Sequence, residues 1–204
     1  MNAANAWLND KRVDAIVMGG SAGALDVLRH LLAGLPPTLP IPVIVVLHLP
    51  ANVPAMTHEV LQPFSPLRMK QAEDKEKVAP ATVYFAPPGY HLLVESHGHF
   101  ALSVDEPVHF SRPAIDVLFE SACDAYTPHL LGILLTGASH DGAAGLQVIH
   151  EMGGTTLVQS PATAEAPTMP AAALALFEPT FTGSPQELRD LLASIETRAT
   201  RHAI

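Results

Sequence analysis

Short runs rich in aliphatic and β-branched residues recur along this chain, separated by stretches with helical spacing. The clearest are "VDAIVM" (13–18), "IPVIVVLHL" (41–49), "LLGILLTG" (130–137) and "TTLVQ" (155–159). A strand with one wet face alternates apolar and polar residues, whereas a strand buried on both faces reads as a continuous apolar run. Between these runs, "GALDVLRHLLAGL" sets Leu25, Leu28, Leu31, Leu32 and Leu35 on one stripe, and "DGAAGLQVIHEMG" reads as a helix ending at Gly153. Strands alternating with helices imply a parallel sheet covered on both faces, because parallel neighbours need a crossover between them.

Other segments fill in the pattern. "PAMTHEVLQPF" reads as a short helix, and "LRMKQA" and "TVYFAP" read as strands. "YHLLVE" and "FALSV", joined through "SHGH", suit an antiparallel hairpin that edges or projects from the sheet. "SRPAIDVLFESACDAY" reads as a helix capped by Ser111 with Pro113 in its first turn, and Ser184 to Glu187 form a capping box opening a last helix to about Arg198. One domain is expected over 13–198, with an N-terminal extension over 1–12 and a frayed tail over 199–204.

Composition narrows the function classes. The 204 residues, 48% of them hydrophobic, suffice for one well-buried core. The formal charge of −9, with the basic residues scattered, gives no footprint for nucleic acid or an anionic membrane. A single cysteine, Cys123, cannot staple the fold, and neither a signal-peptide pattern nor a membrane-length apolar run occurs, so a cytoplasmic protein without membrane insertion is expected. The eleven histidines show no HExxH spacing and no CxxC accompanies them; His97 and His99 flank Gly98 in the hairpin turn, and no metal is expected.

The stretch with chemical content is "MGGSAGA", directly after the first strand. As a dinucleotide-binding turn it fails, since Ser21 takes the place of the second glycine and His48 ends the second strand where an acidic residue would hold a ribose. As a phosphate loop it lacks a following Gly-Lys-Ser/Thr. Gly19 to Gly23 instead fit G-x-S-x-G, a tight turn that lifts a serine hydroxyl above the sheet edge. Doubly wound sheets carry their sites at the carboxyl ends of strands. Three polar residues stand at such ends: Ser21, His48, and Asp141 in "LLTGASHDGAAG". A serine, a base and an acid to orient the base are the parts of a nucleophilic hydrolase. Each also has a plainer role: Ser21 as a helix cap, His48 as a buried histidine bonded to a carbonyl, and Asp141 as the N-cap of its own helix.

From "VMGGSAGALDVL", "VVLHLP", "AEDKEKVAPATVYFAPPGYHLLV", "SRPAIDVLFESAC", "LLTGASHDGAAGLQVI" and "GGTTLVQSPATAEAPTMPAAAL", in that order, the chain resembles the catalytic domain of the chemotaxis protein-glutamate methylesterases over roughly residues 13 to 182. The resemblance implies an α/β, Rossmann-like, three-layer doubly wound domain that hydrolyses γ-glutamyl methyl esters on cytoplasmic chemoreceptor helices, with glutamine deamidation as a second activity and no cofactor. It places the catalytic serine, histidine and aspartate on Ser21, His48 and Asp141. The N–H groups of Ala22 and Ala138 are then oxyanion candidates, and Tyr90, His91 and Arg112 are candidates for the substrate cleft. Gln159, Met169 and Pro170 also match family positions, where packing or loop order is the expected role. The chain departs from the family with Ala22-Gly23-Ala24 after the serine and Ala138-Ser139 before the aspartate, where the family reads S-T-G-G and T-G-M-G. The phospho-receiver domain that usually precedes this domain has no room in the dozen residues ahead of "VDAIV", so control by a separate regulatory protein is one expectation. A monomer is expected. Two rival readings remain open: a catalytically weak adaptor of the same fold, and an esterase acting on a non-receptor substrate.

Overall fold

The structure is a computed structural model whose described residues are 12–48 and 57–195. The expected tail, nearly all of the N-terminal extension and the start of the helix at Pro54 lie outside them.

The strands in chain order are β1 (Ala15–Gly20), β2 (Val43–Leu47), β3 (Arg68–Gln71), β4 (Thr82–Phe85), β5 (His91–Val94), β6 (Phe100–Ser103), β7 (Leu130–Leu134), β8 (Thr155–Gln159) and β9 (Phe181–Gly183). The helices are α1 (Ala24–Leu32), α2 (Thr57–Leu61), α3 (Ile115–Tyr126), α4 (Ala143–Glu151), α5 (Thr168–Leu176) and α6 (Pro185–Ala193). A seven-stranded sheet runs β3-β4-β2-β1-β7-β8-β9 with every pair parallel. At its centre Met18 stands between Val45 of β2 and Ile133 of β7.

Alternate residues of each central strand serve opposite faces, as the pleat requires. Ile16, Met18, Val43, Val45, Leu131 and Ile133 face a layer made by Leu28, Leu31 and Leu32 of α1 with Leu188, Leu191 and Leu192 of α6. Ala15, Val17, Ile44, Val46, Leu130 and Leu134 face Leu118, Phe119 and Ala122 of α3, Leu146 and Ile149 of α4, and Met169 and Ala173 of α5. Burying each such leucine stabilises the fold by about 1.5–3 kcal/mol, and both faces must be covered because both are apolar. Three layers result, and the expected fold class holds.

One local expectation is resolved and three are corrected. The expected antiparallel hairpin, β5 with β6, is present, and of the two placements open to it, it takes the one off the parallel sheet, as a separate two-stranded sheet packed on the α3 side through Leu92, Val94 and Phe100. Leu25 leaves the expected stripe and is 40% exposed, because the buried set of α1 is Ala24, Leu28, Leu31 and Leu32. The third helix begins at Ile115, so Ser111 does not cap it and Pro113 precedes it. The last helix has the expected capping box, Ser184 N–H donating to Glu187 Oε2 (2.8 Å) and Glu187 N–H to Ser184 Oγ (3.4 Å), but it stops at Ala193.

Candidate active site

The sheet's strand order reverses beside β1: the chain passes from β1 to β2 on one side and later enters β7 on the other. Polar groups converge at the carboxyl end of this crevice. The β1–β7 ladder continues past the strands, with Leu135 N–H donating to Gly19 O (2.9 Å) and Ser21 N–H to Thr136 O (2.9 Å). On the opposite side, His48 N–H donates to Gly20 O (3.0 Å), which sets the His48 backbone beside the turn that carries Ser21.

That turn is tight for stated reasons. Ser21 O accepts from Ala24 N–H (2.9 Å), and Gly23 lies at φ 77°, a left-handed conformation that costs glycine no Cβ clash. Gly19 is needed for approach: a Cβ there would collide with Cγ2 of Ile115, the first residue of α3. Glycine in β1 therefore lets the N-terminus of α3 come down onto the strand just before Ser21.

Asp141 is fully buried and is brought to this helix end from the loop after β7. Its Oδ2 accepts from His48 Nε2 (2.7 Å) and Ile115 N–H (2.7 Å), and its Oδ1 accepts from Asp116 N–H (3.0 Å). Burial penalises the ionised carboxyl, but the bonds from His48, Asp116 and Ile115 outweigh it and hold Asp141 below the usual carboxylate range. An ionised carboxylate only accepts hydrogen bonds, so Nε2 of His48 carries the proton and Nδ1 presents a lone pair. The hydroxyl of Ser111 stands 3.5 Å from that Nδ1. Ser21 is half-buried, and its Oγ makes no hydrogen bond among the described residues.

Asp141 thus caps α3 from a distance, while the N-cap of the helix that follows it is Gly142, without a side-chain cap bond. Asp116, in the first turn of α3, repeats the device in reverse by accepting from Gly145 N–H of α4 (2.7 Å). Burial pushes the Asp116 carboxyl up to about 6; the Gly145 bond opposes the rise, the Asp141 charge adds to it, and His109, whose Nε2 lies 3.3 Å from Asp116 Oδ2, lowers it. His109, Asp116 and Asp141 bring possible metal-ligand atoms within 4.8 Å of one another. Their oxygens, however, already accept from N–H donors of two helix starts and from His48, which is the chemistry of capping.

Three loops are sewn together beside Ser21. Thr136 Oγ1 lies 3.0 Å from Ala22 O and 3.2 Å from Ala166 O, and accepts from Ala166 N–H (2.9 Å). Gln159, wholly buried, accepts from Thr136 N–H (2.9 Å) and donates to Thr163 O (3.1 Å). Met169 N–H donates to Gly137 O (2.9 Å), and its thioether packs over Gly137. Gln159 and Met169 therefore act on loop order and packing, as expected. The N–H groups of Ala22 and Ala138 donate to no described residue, and both residues are exposed.

The cleft candidates separate. Tyr90 is 42% exposed. His91 is buried with both ring nitrogens in use: Nδ1 accepts from Ala114 N–H (3.2 Å), so Nε2 donates to Glu106 O (3.1 Å), and the ring braces the approach to α3 instead of lining a cleft. Arg112 spends Nη1 on Val104 O (2.8 Å) and Asp105 O (2.9 Å), fastening the segment after β6. Three residues that sequence reasoning gave no site role stand here: Ser111, Asp116 and Thr136. Only Ser111 left a signal, as a hydroxyl ahead of a helix.

Known proteins resemble this chain over most of its length. A family model described as CheB methylesterase matches residues 16–199. A protein of Leptospira interrogans, provisionally named protein-glutamate methylesterase/protein-glutamine glutaminase, is 40% identical over 183 residues, covering 90% of this chain and 95% of its own. A Maricaulis maris protein-glutamate methylesterase/protein-glutamine glutaminase is 36% identical over 167 residues, and the match covers 80% of this chain but 42% of that longer one. The crystal structure of the Thermotoga maritima CheB methylesterase catalytic domain superposes with a TM-score of 0.82 at 28% identity, covering 88% of this chain and 98% of that domain.

Proposed function

Because the chain belongs to the CheB methylesterase family, we propose that it is a protein-glutamate methylesterase, a serine hydrolase that releases methanol from γ-glutamyl methyl esters on cytoplasmic chemoreceptor helices and deamidates protein glutamine by the same route. The observation that carries the reading is the 2.7 Å bond between His48 Nε2 and the buried carboxylate of Asp141, at the strand end next to Ser21. It supports the tautomer in which Nδ1 is free to act as the base.

The chemistry follows from the groups present. His48 Nδ1 takes the Ser21 proton as Oγ attacks the ester carbonyl, and Asp141 stabilises the imidazolium that forms. The tetrahedral oxyanion is met by the N–H groups of Ala22 and Ala138, neither of which has a described partner to give up. One such donor contributes about 3 kcal/mol to the transition state in comparable hydrolases. Nδ1–H then protonates the departing methoxide, and a water activated by the regenerated base releases glutamate and frees Ser21. With glutamine the same acyl-enzyme forms and ammonia leaves. Each step uses the protein's own groups.

The test is methanol release from a pre-methylated chemoreceptor cytoplasmic fragment, comparing the protein with Ser21→Ala. The expected outcome is release that the variant lacks. Release that persists unchanged in Ser21→Ala removes the serine mechanism, and no release from either protein, with a small ester still cleaved, removes the receptor as substrate.

A further inference from the structure

Residues 108–111 form a tight turn in which Val108 and Ser111 exchange backbone hydrogen bonds, Val108 N–H to Ser111 O (3.2 Å) and Ser111 N–H to Val108 O (2.9 Å). The two residues between them, His109 and Phe110, lie at φ 49° and φ 61°. Two successive left-handed residues make a turn that favours Asn and Gly, and bulky side chains adopt it at a cost. At the tip Phe110 is completely exposed (103%). An aromatic side chain that is both strained in its backbone and unburied contributes nothing to the fold that explains it, and strain retained beside a site is a reason to look for function.

The turn is held firmly and against the site. Ser111, on one side of Phe110, brings its hydroxyl to within 3.5 Å of His48 Nδ1. His109, on the other side, lies 3.3 Å from Asp116, whose N–H donates to Asp141. Arg112, the next residue, donates from Nη1 to the carbonyls of Val104 and Asp105. Ser111 thus touches His48 directly, His109 reaches Asp141 only through Asp116, and the fully exposed ring projects outward beside them.

Resting on the esterase reading above, we propose that Phe110 is a specificity-determining residue: an apolar anchor that seats against a nonpolar side chain of the protein segment bearing the scissile ester. A small ester has no such segment and does not engage it. Exposed aromatic side chains are the type that dominates protein recognition, because they bury a large area for little lost side-chain freedom.

The experiment compares the protein with Phe110→Gly and Phe110→Asn, both suited to a left-handed backbone. Three quantities are read: kcat/KM on the methylated receptor fragment, kcat/KM on p-nitrophenyl acetate, and the thermal midpoint. The expected result is a loss of about tenfold on the fragment, carried by KM, with the small-ester rate unchanged and the midpoint equal or higher. Fragment and small-ester rates that fall together make the turn a scaffold and overturn the anchor, and so does a fragment rate that does not change. A wild-type protein that cleaves p-nitrophenyl acetate through Ser21 but not the fragment fails differently: it removes the receptor reading, and the anchor with it.

Discussion

Asp141 carries two duties in one carboxylate. It orients His48 through Nε2, and it supplies the acceptor for the Ile115 and Asp116 N–H groups at the start of α3. Ser21 carries only one, since its side chain bonds to nothing described. Asp141→Asn keeps the shape but loses the anionic acceptor and the enforced tautomer. It is expected to lower kcat by about 10⁴-fold and to destabilise the fold by about 1–3 kcal/mol, measurable by turnover and by urea unfolding. Ser21→Ala, by contrast, should leave the unfolding midpoint in place. At this scale the residue types of the proposed triad are legible, because a serine, a histidine and an aspartate each stand where a buried run stops. The distant cap is not: nothing local in "SHDGAAG" says that its aspartate will reach the start of another helix, and Ser111, the hydroxyl just ahead of that helix, leaves the cap to Asp141.

Among the elements, the loops after β1, β7 and β8 matter more than the helices they lead into. Gln159 joins two of them from inside the protein, and it is the last residue of a strand whose own sequence does not say which loops it will bracket. Gln159→Leu is close in size but strands the Thr136 N–H and the Thr163 carbonyl. The expected cost is about 1–3 kcal/mol in thermal or denaturant stability, with a fall in kcat because the loop bearing Ala138 loses its register. Restored activity in Gln159→Glu, which keeps the acceptor for Thr136, would mark that bond as the one that counts. Helix α5 was missed in the sequence for a physical reason: "TMPAAALAL" is apolar on every side, so no 3.6-residue stripe separates it from a buried strand. Three-residue β9 offers too few positions to show alternation. The central strands and α1 were legible because burial on both faces, or on one stripe, leaves a period that cannot be hidden.

For the molecule as a whole, two buried carboxylates of opposite tendency set how stability depends on acidity. Asp141 is held below its ordinary value, so its contribution is present above the unfolded value of about 4 and is lost as pH falls through its folded value. Asp116 is pushed up to about 6, so its contribution is present below about 4 and is lost as pH rises through 6. Asp116→Asn keeps an acceptor for Gly145 and removes the ionisation. The variant is expected to lose the decline in unfolding free energy that the parent shows between pH 4 and 6, read by chemical denaturation at each pH. The layered architecture was legible in outline from the alternation of runs and stripes, while strand order was not, since pairing depends on contacts between segments far apart in the chain. The cap that Asp141 places on α3 bears on descent. In a lineage released from selection for hydrolysis, the serine would be free to drift, because its side chain bonds to no described residue, but the aspartate would be kept because it holds the start of a helix. On the proposed mechanism, a related chain that keeps the aspartate and has lost the serine is expected to retain the fold and lack hydrolysis.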